Sequence, residues 1–314
     1  MNLLIYMPAL NEEDSIAQVI KELPTNLEDV DHIKVLVVDD GSTDNTARIA
    51  SDAGAIVISH NTNKGVGNAF QTAVEFALNN DIDMLISIDA DRQFDSKQMK
   101  DLLQPLTNNE ADMVTGNRFY QGMPDNMPAL KYWGNKHMAK IISFICGQRF
   151  SDVSCGFRAY NREALLRLNL MGAFTYTQET ILDLLYKGLR VKEIPVVVFY
   201  YEGRKSRVAS NVLNYAIKTS KIILRTLRDY KPMLFFGSLG LISSLLGSSF
   251  VIFMFTHYLI TRSFTPYKSY GFIGLGFLVL GVLLIIVGLL ADMFNRIRTN
   301  QEKILYEMKK AKYE

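Results

Sequence analysis

Short apolar runs alternate with amphipathic stretches through the first half of the chain. The runs are residues 3–7, 33–38, 55–58, 84–88 and 113–115. After the first run, apolar residues recur at the spacing of one helix face, at Ile16, Val19, Ile20 and Leu23. Continuous apolar runs separated by helices are typical of strands buried on both faces. The pattern therefore predicts an α/β domain with a mostly parallel sheet.

Two long stretches without charge follow in the last third of the chain. No Asp, Glu, Lys or Arg occurs between Lys231 and Arg262, or between Lys268 and Asp292. Each stretch exceeds the ~20 residues that an apolar helix needs to cross a bilayer. A buried core hairpin of a soluble protein is the alternative, but two such runs back to back rarely fit a globular core. The short linker between them predicts an antiparallel transmembrane hairpin.

Basic residues are concentrated outside these two stretches. Before the first stand Lys218, Lys221, Arg225, Arg228 and Lys231, and after the second stand Arg296, Arg298, Lys303, Lys309, Lys310 and Lys312. The linker has only Arg262 and Lys268. Because basic flanks stay on the cytosolic side, both termini are expected there. The N-terminus also lacks the basic region and long apolar run of a signal peptide.

Four segments follow from this organisation. We expect an α/β domain over residues 1–210, a basic amphipathic juxtamembrane helix over 211–231, two transmembrane helices over 232–291 and a basic cytosolic tail over 292–314. The helix at 212–227 fits the membrane surface and fits packing on the α/β domain nearly as well. The net charge of +2 gives no indication of a nucleic-acid partner, and the two cysteines form neither a disulfide framework nor a zinc motif.

A pair of aspartates follows the run at 84–88. Ligands of parallel α/β sheets bind at the carboxyl ends of the strands, which is where Asp89 and Asp91 fall. Magnesium is commonly held by one or two carboxylates together with substrate phosphates. Gln93 offers a further neutral oxygen. An isolated Asp-x-Asp also fits a solvated loop, but its place after a strand predicts a Mg²⁺ or Mn²⁺ site at Asp89, Asp91 and Gln93.

A second polar cluster, Asp39-Asp40-Gly41-Ser42-Thr43-Asp44, follows the run at 33–38. Gly41 permits a tight turn, and one of the three residues after it can cap the next helix. Either Asp39 or Asp40 is expected to accept hydrogen bonds from a nucleobase or a ribose.

A glycine-containing stretch, Lys64-Gly65-Val66-Gly67-Asn68-Ala69, precedes another helical pattern. It departs from a dinucleotide fingerprint because Phe70 stands at the third glycine position and the stretch lies in the third βα unit. A nicotinamide cofactor is therefore not expected. Glycines before a helix still allow a nucleotide to approach the backbone closely.

These motifs, in this order, resemble glycosyltransferase family 2, whose members have the GT-A fold. The resemblance rests on Pro8-Ala9-Leu10-Asn11-Glu12-Glu13, Val37-Val38-Asp39-Asp40-Gly41-Ser42-Thr43-Asp44, Asn63-Lys64-Gly65 and Asp89-Ala90-Asp91. Asp152-Val153-Ser154-Cys155-Gly156-Phe157-Arg158 is similar to the Asp-x-x-Ser-Gly-Phe-Arg of the polyprenyl-phosphate branch, with Cys155 inserted. Gly116-Asn117-Arg118 and Gln178-Glu179 also fit that branch, which includes dolichol-phosphate mannose synthases and bacterial polyprenyl-phosphate glucosyltransferases.

The resemblance implies an inverting transfer of a sugar from a UDP- or GDP-hexose to undecaprenyl or dolichyl phosphate. It places the donor nucleotide against Pro8, Ala9, Asn11, Glu13, Asp39, Asp40, Lys64, Asp89 and Ala90. It gives the catalytic roles to Asp152, Asp91 and Arg118, with Arg118 facing the acceptor phosphate. The implied partners are the donor, the lipid acceptor and the bilayer of a bacterial or archaeal cell membrane, with a homo-oligomer left open.

One motif departs from the family pattern, which often has Arg-x-x-Gly-x-Ser-Lys before the membrane segment. The stretch here, Tyr201-Glu202-Gly203-Arg204-Lys205-Ser206-Arg207, lacks the leading arginine. We expect Arg204, Lys205 and Arg207 to share the acceptor phosphate with Arg118. Contact of the first three with anionic lipid headgroups is the alternative, so which cation holds which phosphate stays open.

Two other functions stay open at this point. A processive polysaccharide synthase of the same family usually has more spans and a Gln-x-x-Arg-Trp motif, whereas the only tryptophan here lies in Tyr132-Trp133-Gly134. A non-catalytic membrane scaffold is the second alternative, and the intact set of acidic residues argues against it.

Overall fold

The computed structural model describes residues 1–170, 176–200, 221, 224, 225 and 227–313. The chain forms two compact units. Unit 1 consists of Met1–Ala216 together with Leu305–Glu314, and unit 2 is Ile217–Ile304.

Unit 1 is built on a seven-stranded sheet with the order β3-β2-β1-β4-β6-β5-β7. The strands are β1 (Asn2–Ala9), β2 (His32–Asp39), β3 (Ile56–Ser59), β4 (Met84–Ser87), β5 (Met113–Asn117), β6 (Arg158–Asn161) and β7 (Val191–Pro195). Strand β6 runs antiparallel to both of its neighbours, and every other pair is parallel. Each of the five apolar runs forms a strand, so the predicted mostly parallel sheet is confirmed.

Seven helices of unit 1 connect these strands among the described residues. They are α1 (Ile16–Glu22), α2 (Thr46–Asp52), α3 (Val66–Asn79), α4 (Met99–Thr107), α5 (Ala129–Cys146), α6 (Arg162–Arg167) and α7 (Thr177–Tyr186). The interior strand β1 is completely buried over residues 3–7, as expected for a strand covered by helices on both faces. Strands β1, β2 and β4 are parallel neighbours, so the polar segments after them meet at one edge of the sheet.

Unit 2 contains two long apolar helices, α8 (Pro232–Thr261) and the first part of α9 (Lys268–Tyr313). Both are long and apolar enough to cross a membrane, and only 17% of the most apolar window of each is buried. A core helix of a soluble protein would instead hide most of its apolar residues. The two predicted spans are therefore present as helices, joined by the short connection 262–267.

Glycines bring the backbones of α8 and α9 into close contact. A Cβ atom added to Gly247 would lie 2.6 Å from the carbonyl oxygen of Gly274, and one added to Gly240 would lie 2.7 Å from that of Gly281. Between these contacts the Ser243 hydroxyl donates a hydrogen bond to the Phe277 carbonyl at 2.8 Å. Small residues and interhelical hydrogen bonds are what hold helices together in lipid, where the hydrophobic effect no longer drives their association.

Replacing Gly281 by leucine is expected to separate the two helices. The new side chain has no space, because a Cβ at this position already meets the Gly240 carbonyl oxygen at 2.8 Å. Gly276 is the matched control on the same helix, since a Cβ there meets nothing within 4 Å. We expect Gly281→Leu to lower the unfolding midpoint in detergent and Gly276→Leu to leave it nearly unchanged. Equal midpoints for the two variants would contradict the close packing.

The end of α9 belongs to unit 1 and packs against α6. The Tyr306 hydroxyl donates to Glu163 at 3.0 Å, and the Arg167 guanidinium lies 4.3 Å from the centroid of the Tyr306 ring. The Lys309 ammonium donates to the Leu168 carbonyl at 2.7 Å. The segment 292–314, predicted as a tail, is thus helical through Tyr313, and its end is part of the α/β unit.

The predicted juxtamembrane helix at 211–231 lies mostly outside the described residues. Of the residues described there, Lys221, Leu224, Arg225 and 227–230 are helical and Lys231 is not. Whether this segment contacts lipid stays a prediction.

Candidate active site

The two aspartates predicted to bind metal follow β4 directly. The backbone N–H of Gln93 donates to the Asp91 carboxylate at 3.1 Å, so the segment turns back on itself here. Burial and the neighbouring Asp91 carboxylate raise the pKa of Asp89 to about 7, while the cations Arg118 and Lys131 oppose that rise. Two carboxylates held together in a poorly hydrated place favour the binding of a divalent cation.

The described residues contain no group of three or more His, Cys, Asp or Glu side chains that could hold a metal ion. The protein thus offers the two carboxylates of Asp89 and Asp91, and Gln93 follows them in the same turn. Magnesium and manganese accept such an incomplete set when substrate phosphates and water complete the coordination. The donor set fits a metal that arrives with a diphosphate better than it fits a permanent structural metal.

Gly156 leaves room for the Asp89 carboxylate. A Cβ atom at residue 156 would lie 2.9 Å from each of the two carboxylate oxygens of Asp89. The glycine that follows Cys155 therefore permits the close approach of the Asp89 carboxylate to the backbone.

The variant Gly156→Ala should displace Asp89 and weaken Mn²⁺ binding at least tenfold. Gly147→Ala is the control, because Gly147 has φ +75° but a Cβ there meets nothing within 4 Å. Backbone strain in the control should cost about 1 kcal/mol of stability without changing Mn²⁺ affinity. Mn²⁺ titration of both purified variants would check this, and equal affinities would contradict the close approach.

The two aspartates after β2 have different surroundings. Asp40 accepts three hydrogen bonds, from His60 Nδ1 at 2.7 Å and from the backbone N–H groups of Lys64 at 2.9 Å and Gly65 at 2.8 Å. Asp39 accepts one hydrogen bond through Oδ1, from the Ser42 backbone N–H at 3.1 Å. Both side chains are nearly buried. Asp40 thus fixes the loop before α3, whereas Oδ2 of Asp39 accepts no hydrogen bond from the described residues.

Asn11 and Glu13 connect the loop after β1 to the loop after β2. The Asn11 amide oxygen accepts the Thr43 backbone N–H at 2.8 Å, and the Glu13 carboxylate accepts the Asn45 backbone N–H at 3.0 Å. Asn11 has φ +53°, a conformation that asparagine tolerates better than most residues. The two side chains hold together the loops that surround the predicted nucleotide pocket.

The remaining predicted donor residues contribute through their backbone or their position. The Ala9 carbonyl accepts the Asp40 N–H at 2.9 Å, and the Ala90 carbonyl accepts the Ser15 hydroxyl at 2.8 Å. Pro8 lies opposite Val38 in the pairing of β1 with β2. The structure therefore brings the residues after β1, β2 and β4 to one edge of the sheet, as the sequence predicted.

Arg118 and Asp152 form a buried ion pair. Arg118 donates from Nε to Asp152 Oδ2 at 2.6 Å and from Nη2 to Asp152 Oδ1 at 2.9 Å. Asp152 is completely buried and also accepts the Ser154 backbone N–H at 3.0 Å. Burial alone would raise the pKa of Asp152, but Arg118 and these hydrogen bonds hold it below its usual value. Asp152 therefore orients Arg118 and is a poor proton acceptor.

One guanidinium nitrogen of Arg118 faces away from this pair. Nη2 also donates to the Ser154 hydroxyl at 2.8 Å, whereas Nη1 has a long contact of 3.5 Å with the Tyr200 hydroxyl. Nη1 carries two N–H groups, so among the described residues at least one of them has no partner in the protein.

Lys131, in the first turn of α5, is a cation of this site that no sequence motif indicated. Burial and the nearby Arg118 lower the pKa of Lys131, while Asp91, Asp89 and Asp152 oppose that change. Its ammonium lies 5.2 Å from the centroid of the Tyr200 ring. The site thus combines a carboxylate pair with two adjacent cations. The other predicted acceptor residues, Arg204, Lys205 and Arg207, lie outside the described residues.

Comparison with known proteins agrees with this arrangement. The chain is 28% identical over 309 residues to glycosyltransferase AglJ of Haloferax volcanii, covering 97% of each chain. It is 28% identical over 245 residues to the UDP-N-acetylglucosamine–dolichyl-phosphate N-acetylglucosaminyltransferase of Methanococcus voltae, covering 71% of this chain and 96% of that protein.

Among solved structures, the glucosyl-3-phosphoglycerate synthase of Mycobacterium tuberculosis, in complex with Mn²⁺, UDP and phosphoglyceric acid, shares the fold. The TM-score is 0.55 at 19% identity, over 72% of this chain and 77% of that one. The expected GT-A fold is thus confirmed. The model of the family described as glycosyl transferase family 2 matches residues 4–168, which is more than half of the chain. The chain therefore belongs to glycosyltransferase family 2 and is a glycosyltransferase.

Proposed function

We propose that this enzyme transfers a hexose from a UDP- or GDP-sugar to polyprenyl phosphate, with inversion at the anomeric carbon. The observation that carries the proposal is the pairing of Asp89 and Asp91 with Arg118 and Lys131 at one edge of the sheet. A metal-binding carboxylate pair suits the diphosphate of a donor, and adjacent cations suit a second phosphate group. The polyprenyl-phosphate enzymes among the relatives and the apolar hairpin support a lipid as the carrier of that second phosphate.

In this proposal Asp89 and Asp91, with Gln93 beside them, hold Mg²⁺ or Mn²⁺ against the donor diphosphate. The bound ion would neutralise the charge that develops on the leaving nucleoside diphosphate. Asp39 takes the nucleobase or ribose through its available Oδ2, and Asp40 acts on the same pocket by fixing the loop at Lys64 and Gly65.

The acceptor side requires no general base in this proposal. A phosphate monoester has its second pKa around 6, so a polyprenyl phosphate is already largely a dianion near neutral pH. The ion pair between Asp152 and Arg118 agrees with the lack of a general base, because a carboxylate bound to a guanidinium orients that cation and accepts protons poorly. Arg118 Nη1 and the Lys131 ammonium would hold the phosphate in position for attack on the anomeric carbon.

The location proposed for the enzyme is a cell membrane, with α8 and the apolar part of α9 crossing the bilayer. Both chain ends and the catalytic unit then lie on the cytosolic side, as the distribution of basic residues predicts. Nucleotide-sugars are charged and do not cross the bilayer, so a cytosolic active site would meet its donor directly.

A panel of radiolabelled UDP- and GDP-hexoses, offered with undecaprenyl or dolichyl phosphate, tests the proposed reaction. With purified full-length protein, we expect label in the lipid extract only when donor, lipid acceptor and divalent cation are all present. Mild acid should release the label as free sugar, because the product is a glycosyl phosphodiester. Label that stays in water for every donor would refute the proposal, and label in a growing polymer would favour a processive synthase.

The metal site should also make stability depend on pH. Without metal, the pKa of Asp89 is raised from 3.8 to about 7. Between these values the folded protein keeps a proton that the unfolded chain releases, so stability should fall as pH rises through this window. Mn²⁺ binds the ionised carboxylates and so offsets the cost of deprotonating buried Asp89. The Mn²⁺-induced rise in unfolding midpoint should therefore grow with pH up to about 7. A rise that is the same at pH ~5 and pH ~8 would contradict this.

A further inference from the structure

Helix α5 presents large apolar side chains to the outside of unit 1. Leu130 is 47% exposed, Trp133 is 59% exposed and Phe144 is 63% exposed. With 3.6 residues per turn, these three positions and those of His137 and Lys140 fall within one stripe of about 80° along the helix. Scattered single apolar residues are ordinary on a protein surface, but three large ones aligned along one helix indicate an interaction surface.

The opposite face of α5 packs into the core of unit 1. Asn135, Met138, Ala139, Ile142 and Ile145 are buried in unit 1. The stripe formed by Leu130, Trp133, His137, Lys140 and Phe144, here called the outer stripe, is therefore in addition to the core-facing residues. Packing among the described residues of unit 1 therefore does not explain why tryptophan and phenylalanine stand at these positions.

The charged residues that α5 and its flanking residues contribute have one sign only. Residues 126–151 contain no Asp or Glu, whereas Lys131, Lys136, Lys140 and Arg149 are basic. Lys140 is exposed within the outer stripe, and Lys136 lies 5.6 Å from the centroid of the Tyr132 ring. An apolar stripe bordered by lysines is the composition of helices that lie in the plane of an anionic membrane surface.

We propose that the outer stripe of α5 rests on the surface of an anionic bilayer, with Trp133 and Leu130 at the boundary between headgroups and acyl chains. Tryptophan favours this boundary because its ring is apolar and its N–H can reach water or a headgroup. Lys140 extends its stem along the apolar surface and places its ammonium among the lipid phosphates.

A lipid surface fits this stripe better than a second copy of the chain. In a two-fold dimer the same surface meets itself, which would bring Lys140 of both copies together without an acidic partner from α5. A bilayer offers the complementary charge. The chain also carries two helices able to cross a membrane, so its catalytic unit is tethered near lipid.

The proposal concerns how the enzyme meets the membrane and does not depend on which sugar or acceptor it uses. Helix α5 would then have two roles. The outer stripe contacts lipid, and Lys131 in the first turn interacts electrostatically with the carboxylate pair and Arg118. A helix seated on lipid would hold that cation close to the level of the lipid phosphates.

Trp133 is the only tryptophan of the chain, so the native protein carries its own probe. Full-length protein is reconstituted in nanodiscs of phosphatidylcholine with phosphatidylglycerol, and Trp133 emission is measured with phospholipids brominated at shallow or deep positions of the acyl chain. We expect at least twofold quenching by the shallow bromine, less quenching by the deep one, and weak quenching by aqueous iodide.

A charge reversal within the stripe provides the matched test. Lys140→Glu should reduce the bromine quenching and increase the iodide quenching, whereas Lys100→Glu, which changes an exposed lysine of α4, should alter neither. Unfolding midpoints of the two variants should agree, which separates docking from stability.

Strong iodide quenching without bromine quenching in the wild type would overturn the proposal. Protection from both quenchers would overturn it as well, because it would mean that protein, such as a second copy of the chain, covers Trp133. Equal effects of the two charge reversals would show that the outer stripe is not the contact surface.

Discussion

Replacing Asp91 by asparagine is expected to lower the turnover number about a thousandfold. The substitution keeps the shape of the side chain but removes one of the two carboxylates after β4, and with it the charge that would hold a divalent ion against the donor diphosphate. Metal stabilisation of a leaving phosphate is worth several kcal/mol, and each ~1.4 kcal/mol is a factor of ten in rate. Transfer of radiolabelled sugar into the lipid extract measures the loss.

Asp95→Asn is the control for this experiment. Asp95 lies in the same segment, but its carboxylate accepts the Lys97 backbone N–H at 3.0 Å and so serves a local turn. Asparagine can accept the same backbone hydrogen bond, so Asp95→Asn should change stability and activity little. Full turnover of the wild type after complete chelation of divalent ions would refute the metal assignment, as would a fully active Asp91→Asn.

The second large effect is expected for Arg118→Met, which should lower both stability and activity. The variant leaves the Asp152 carboxylate fully buried without its cation, at a cost of about 3–5 kcal/mol. For a domain of this size that corresponds to a fall in unfolding midpoint of roughly 10 °C. Arg190→Met is the matched control, because Arg190 also binds an aspartate, Asp112 at 3.0 Å, but is 50% exposed. Its loss should cost at most about 1 kcal/mol.

The double variant Arg118→Met, Asp152→Leu separates the two roles of the pair. Replacing both partners of a buried ion pair by apolar residues is often neutral for stability, so the midpoint should recover. Sugar transfer should not recover, because Nη1 of Arg118 is absent in both variants. Recovery of transfer together with stability would mean that Arg118 serves the fold alone.

The fold was predictable where a strand is apolar and continuous. β1 and β4 were recognisable as buried strands because nearly all their residues are apolar and buried, and β2 was recognisable by its buried second half, residues 36–38. β6 could not be found in this way. It begins at Arg158, a completely buried arginine whose guanidinium donates to the carbonyls of Cys155 and Val153. Hydrophobic periodicity carries no signal for a charged side chain that is satisfied by backbone oxygens.

Site residues were predictable where side chains able to bind a metal directly follow a strand, as for Asp89 and Asp91. Lys131 was missed because it stands in no motif and reaches the site only through the placement of α5 against the sheet. Hydrogen bonds also distinguish residues that the motifs treat alike. Asp39 and Asp40 are adjacent in the sequence, yet only the contacts show that Asp40 fixes the loop before α3 while Asp39 keeps an oxygen available.

The contact of the last turns of α9 with α6 has a consequence for how the protein is made. Residues 305–313 belong to unit 1, although the ribosome synthesises them after the whole apolar hairpin. The catalytic unit therefore stays incomplete, with Glu163 and the Leu168 carbonyl unmatched by Tyr306 and Lys309, until residues 305–313 have been synthesised. A soluble fragment that stops before residue 217 would keep this unfinished surface permanently, so shortened versions intended for crystallisation should retain the final helical turns, joined by a linker.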